Sequence, residues 1–186
     1  IRTYIDTLIQ FFNEARQYHM LSNKKPDLKL ESLKKVLEGN QTLYIHVNSV
    51  VGIKESLLFA EQNNIDKVVL VGASESWRIT DFLVKKNIPI ILGRVHSLPT
   101  YSDDDVDQSY KTPKILYDAG ITFCLDYHGD MERMGSRNLP FLAGTTVAYG
   151  LSKEEALKLI TLNPAKILGI SDRTGTLEVG KDANLF

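Results

Sequence analysis

Residues 66–72 read DKVVLVG, and within them Val68, Val69, Leu70 and Val71 follow one another with no polar residue between. A strand with one wet face alternates apolar and polar residues. An unbroken β-branched run instead indicates a strand covered on both faces, as in parallel sheets with helical crossovers. Working outward, the same texture recurs in TLYIHVN at 42–48, IPIILG at 88–93 and ITFCLD at 121–126. Strands are expected near 43–47, 67–71, 88–92 and 121–125, with starts about 24, 21 and 33 residues apart, as in βα units. Helical spacing fills the intervals. Ile5, Leu8, Ile9, Phe12 and Ala15 predict a helix over about 2–20, ended by SNKKPD. Leu28, Leu30, Leu33, Val36 and Leu37 predict a second, stopped at Gly39-Asn40. Others are expected around Ile53 to Ala60 and in WRITDFLVKKN, YKTPKILYDAG, NLPFLAGTTVAYG and SKEEALKLITLN. Two architectures fit this alternation: an open doubly wound sheet, or part of a (β/α)8 barrel. LVGASES carries one glycine after its strand, too few for a dinucleotide-binding loop. A whole barrel takes about 250 residues, so 186 residues with four strands make about half of one.

The bulk composition narrows the partners. The formal net charge is −1 and hydrophobic residues make up 43%, so no strong field is available to hold nucleic acid or an anionic membrane. No apolar run reaches the ~20 residues of a membrane span, and no leader peptide is visible. The compartment stays open between cytoplasm and bacterial periplasm. One cysteine, Cys124, excludes an internal disulfide and a cysteine-rich zinc cluster; in ITFCLD it reads as a buried structural thiol. Ile1 opens in the middle of a helical pattern and Phe186 closes in an extended one, so the reading expects a chain cut at both ends.

In either architecture the chemistry belongs at the C-terminal ends of the strands. His46 and Asn48 follow the first, Ser74, Glu75, Ser76 and Trp77 the second, Arg94, His96 and Ser97 the third, and Asp126, His128, Asp130 and Glu132 the fourth. His46 interrupts an apolar strand. It reads either as a core histidine with both nitrogens bonded or as a metal ligand through neutral imidazole. Asp126 reads either as a loop cap or as a metal ligand and general base toward water. His96, His128 and Asp130 are candidates for contact with substrate, set against the plain alternative of a solvated charged loop. SDDDVDQ at 102–108 lacks the glycine and distal glutamate of a calcium loop and reads as an acidic turn. Ser74 and Ser76 lack a nucleophile elbow. Trp77, Tyr101, Tyr110 and Tyr127 read as packing residues.

The stretch GLSKEEALKLITLNPAKILGISDRTGTLEVGKDANLF, about the last 37 residues, carries a resemblance. Gly150-Leu151, Glu155-Ala156-Leu157, Thr161, Asn163-Pro164-Ala165, Leu168-Gly169, Gly175-Thr176-Leu177 and Gly180 to Ala183 resemble the end of the metal-dependent amidohydrolase superfamily, near imidazolonepropionase-like and dihydroorotase-like members. Ser152 with Glu155 forms a capping box, Pro164 suits a first helical turn, and TLEV between Gly175 and Gly180 reads as a short strand. The resemblance implies the C-terminal half of an amidohydrolase-type TIM barrel: about four βα units over residues 1–172, then the return strand to a small β-sandwich over 173–186. It implies hydrolysis of non-peptide C–N bonds by metal-activated water, with a divalent metal, zinc first, and a small-molecule substrate. Counted as the fifth to eighth strands, the four place His46 at a metal-ligand position and Asp126 at the ligand and proton-shuttle position, with Asp130 as its competitor. The sixth-strand histidine is replaced near Ser74. The chain alone is therefore expected to be inactive and to need the N-terminal half of the barrel, or else to self-associate through its open edges. The alternative is a degenerate, non-catalytic barrel that binds a small ligand or a partner.

Overall fold

A computed structural model of the chain describes residues 2–127 and 132–184. Four parallel strands, β1 (Leu43–Val47), β2 (Val68–Gly72), β3 (Ile90–Leu92) and β4 (Phe123–Leu125), lie in the order β1-β2-β3-β4. This order decides between the two architectures. A doubly wound sheet reverses direction at a switch point, whereas right-handed crossovers without reversal keep every crossover helix on one face and curl the sheet. The described helices are α1 (Arg2–Met20), α2 (Leu28–Glu31), α3 (Lys34–Leu37), α4 (Val50–Gln62), α5 (Thr80–Lys86), α6 (Gln108–Asp118), α7 (Glu132–Gly135), α8 (Leu139–Ala148), α9 (Lys153–Lys158) and α10 (Leu162–Ile167).

The two faces of the sheet carry separate apolar clusters. On the helix side, Ile45, Leu70, Ile90, Leu92, Phe123 and Leu125 pack with Ile53, Leu57, Leu83, Leu116 and Leu142 from the helices. On the opposite side, Val69, Ile91 and Cys124 meet Ile167 of α10. Coverage from both sides is why VVLV carries no polar alternation. The helix α1 lies over α4: Phe12 meets Phe59 edge-on at 5.2 Å, and Arg16 donates to the Asn63 carbonyl at 2.6 Å. That guanidinium sits at the C-terminal end of α4, where helix carbonyls lack partners and a cation is favoured.

Two expectations change. The single helix expected over 28–37 is split, and Ser32 supplies the cause: its hydroxyl donates to the Lys29 carbonyl at 2.7 Å, competing with the helical ladder. The strand expected at 176–179 is absent among the described residues, and Leu177 and Val179 are exposed. A strand is held by its neighbour's backbone, and none of the described strands pairs with this one.

The outward edge of β4 is capped from within the chain. The Leu125 amide donates to the Leu159 carbonyl at 3.0 Å, and the Asn163 side chain donates to the Phe123 carbonyl at 2.8 Å. Asn163 thus ties the NPA turn to the strand that carries Asp126. Replacing Asn163 with Leu leaves the Phe123 carbonyl without that donor and is expected to cost about 1–3 kcal/mol, read as a lower urea midpoint at unchanged slope.

Candidate functional site

The strands end on one row, Val47, Gly72, Leu92 and Leu125, which are successive partners in the ladder. The four following loops therefore leave from one line. Residues paired in register point to the same face, so Tyr44 and His46 share the face of Val69 and Val71, opposite the main helix-side core. His46 lies one residue before the row and is exposed on that inner face. Asp126 lies one residue beyond it, and alternation from Cys124 turns it to the same face. The Asp126 amide donates to the Leu92 carbonyl at 2.9 Å, so β3 fixes its backbone. Three interstrand steps of about 4.8 Å put β1 and β4 about 14 Å apart along the sheet, and curvature shortens the direct distance.

Below Asp126, the Cys124 thiol is pushed up to about 12, first by burial and then by the Asp126 charge. It is a neutral packing group and no nucleophile at ordinary pH. Because the folded value is raised, the thiol's contribution to stability is complete below its unfolded value, about 8.5, and is lost as pH rises toward about 12. Urea unfolding of the chain and of Cys124→Ala across that alkaline window should show a steeper loss for the native chain.

The end of β2 departs from the inner face. Gly72 and Ala73 have φ of +90° and +47°, and Ala73 is fully buried in the helix-side core. A side chain added at Gly72 would meet Asn48 Oδ1 at 2.5 Å, so only glycine fits this close approach to the neighbouring loop. Ser74, next along the chain, is exposed, with its amide toward Asn48 Oδ1 at 3.5 Å. Glu75 is buried, and its carboxylate accepts from the Val50 amide at 2.9 Å at the start of α4. The Tyr101 hydroxyl lies beside it, and the neighbouring carboxylate holds the Tyr101 phenol above its usual value. Glu75 therefore joins the loops after β1, β2 and β3. The ion pair of Arg78 with Asp104 closes the same region.

Beyond β3, Arg94 lies over the Tyr127 ring at 5.4 Å, spanning the ends of β3 and β4. His96 is engaged elsewhere. Its Nε2 meets Thr145 Oγ1 at 2.6 Å, and its ring stacks on Tyr110, which stacks on Tyr149. Thr145 donates its own proton to the Phe141 carbonyl at 3.0 Å, so its oxygen accepts from His96 Nε2–H. The ring packs between the β3 loop and α8. His128 and Asp130 lie outside the described residues.

The structure thus gathers His46, Asp126, Arg94 and Tyr127 at the strand ends. It gives Glu75 a linking role that the sequence did not signal. No group of three His, Cys, Asp or Glu side chains able to hold a metal forms among the described residues. Imidazole and carboxylate are donor types that suit zinc, but a tetrahedral site takes about three protein ligands, and the described residues of the inner face offer two.

The sequence pattern of the amidohydrolase family matches residues 33–186. The chain belongs to the amidohydrolase family. It is similar to the imidazolonepropionase of Thermoplasma volcanium, 34% identical over 43% of this chain and 20% of that protein. It is also similar to the imidazolonepropionase of Shewanella baltica, 40% identical over 43% of this chain and 18% of that one. The crystal structure of an amidohydrolase from Thermotoga maritima superposes with a TM-score of 0.84 at 26% identity, covering 96% of this chain and 48% of that one. A prolidase crystal structure shares the fold, with a TM-score of 0.58 at 15% identity over 87% of this chain and 42% of that one. The amidohydrolase chain spans about one fifth of those curated relatives' length and about half of the Thermotoga chain. Its four βα units are part of a TIM-type barrel. No helix among the described residues is long and apolar enough to cross a membrane.

Proposed function

We propose that this chain is the part of an amidohydrolase barrel that carries the proton-handling side of a hydrolytic site acting on non-peptide C–N bonds in small molecules. One observation carries the reading: His46 and Asp126 come from the first and last strands of one parallel sheet, each within one residue of the row on which the strands end. Asp126, on a backbone fixed by Leu92, takes a proton from water at a carboxylate oxygen and returns it to the leaving nitrogen. Among the described residues His46 and Asp126 are the two strand-end donors suited to a divalent metal, zinc by donor type, and a complete site would need further donors. Such a metal supplies Lewis acidity toward the carbonyl and toward water. Arg94, held over Tyr127, places a cation beside the mouth, suited to an anionic group on the substrate. The relatives' names point to imidazolonepropionate as the first substrate to try.

A second reading, a non-catalytic barrel that binds a small ligand or partner, has its own support. After β2 the Ala73 side chain joins the helix-side core, Ser74 is exposed, and the nearby carboxylate, Glu75, is committed to the Val50 amide. The experiment that separates the two uses the intact protein. It is assayed against imidazolonepropionate and a panel of cyclic and acyclic amides, with metal analysis on the same sample. Turnover with bound metal supports the hydrolase. No turnover on any member, with no bound metal, supports the binding barrel and removes the first reading.

A further inference from the structure

Between the loop after β2, the loop after β3 and the start of α6 lies a cavity of about 230 Å³, lined in part by Glu75, Trp77, Ser97, Asp104, Gln108 and Thr112. This volume holds about seven waters at ~30 Å³ each, or one ligand with a similar number of heavy atoms. Two of its walls are unusual. Gln108 is 8% exposed, and its Nε2 has no hydrogen-bond partner among the described residues. Buried amide donors are almost always satisfied, because an unmade bond forfeits hydration with no return. Glu75 is 6% exposed and is held by a neutral donor, the Val50 amide at 2.9 Å, with the Tyr101 phenol beside it. No Lys or Arg ion-pairs with it among the described residues, whereas Asp104 has Arg78. The cavity therefore combines one uncompensated carboxylate with one unused N–H donor, beside the Trp77 ring and several hydroxyls.

We infer that this cavity is a binding site for a compact primary ammonium ligand that also carries one carbonyl acceptor, an amino-acid amide being the simplest case. The ammonium group lies toward Glu75, which has lone pairs left after its bond from the Val50 amide, and the carbonyl accepts from Gln108 Nε2. An anionic ligand is disfavoured by Glu75 and Asp104, and a purely apolar one leaves both polar walls unmet. The inference is independent of the hydrolytic reading, since it uses neither His46 nor Asp126.

Glycinamide is the probe, titrated into the chain and followed by calorimetry and by the NMR signals of the Gln108 side-chain amide. Saturable one-to-one binding is expected, with those signals shifting along the same isotherm. Methylammonium and acetamide each carry half of the recognised chemistry and should bind more weakly. Gln108→Leu removes the donor without disturbing a bond the fold uses, and should weaken glycinamide about fivefold or more, the loss of one hydrogen bond. Glu75→Gln keeps an acceptor for Val50 but removes the charge, and should weaken it about tenfold or more. If that variant does not fold, Gln108→Leu decides alone. Absence of saturation, equal affinity in Gln108→Leu, or acetamide binding as tightly as glycinamide overturns the assignment and leaves a water-filled space.

Discussion

Asp126→Asn is expected to lower kcat/KM of the intact protein by about 10² to 10⁴, the usual contribution of a positioned general base. The substitution keeps size and shape, and the bond from the residue's own amide to Leu92 is backbone, so β4 stays in place. What is lost is a carboxylate that can accept a proton. The same variant carries an internal control that does not need turnover. The Asp126 charge is the second cause, after burial, of the raised Cys124 thiol. Removing it should bring that thiol down from about 12 while leaving it above an ordinary cysteine. Thiolate absorbance against pH reads this directly. A rate loss together with a lowered thiol value places the carboxylate on the inner face and assigns it the proton. An unchanged rate with the same thiol shift moves the role to another acid, with Asp130 first in line.

The sequence showed the barrel layer more clearly than the site, for a physical reason. Apolar runs report burial on two faces, and β1 falls at Leu43–Val47 as the pattern expects. His46 was visible because one polar residue in such a run needs an explanation. The strand ends obey less legible rules. Ala73 at φ +47° has no residue-type signature, since alanine rarely takes that conformation. The β1 loop closes on Gly72 at the same point, and nothing in LVGASES announces that Ala73 joins the helix-side core. His96 looked like a mouth residue by its distance from β3. Its position is decided by Thr145 and Tyr110, which lie on separate helices. Likewise, the split of α2 from α3 at Ser32 depends on a side-chain bond that a count of leucines does not see. Periodicity reports which face is dry; it carries no information on contacts made across tens of residues.

Phe123→Ala is expected to cost about 3–5 kcal/mol, the range for truncating a buried aromatic. Phe123 is 1% exposed and heads the largest fully buried side chains. It stands on the three-residue strand β4, whose register to β3 comes from few ladder bonds. A cavity there removes packing from the strand that positions Asp126, and most domains have only about 5–15 kcal/mol in total. Urea unfolding should show the loss, and Phe123→Leu should recover most of it because a leucine fills much of the space. The pair with Asn163→Leu sharpens the result. Asn163 binds the carbonyl of Phe123 itself, so one change loosens the short strand from α10 and the other from the helix-side core. Residues that share a structural unit do not add independently. The double variant should therefore lose less than the sum of the singles, because a strand already released by one change has little left for the other to release. Strict additivity would mean that the Asn163 bond and the Phe123 packing hold separate parts of the fold, and β4 would then not be a single cooperative support for the acid at its end.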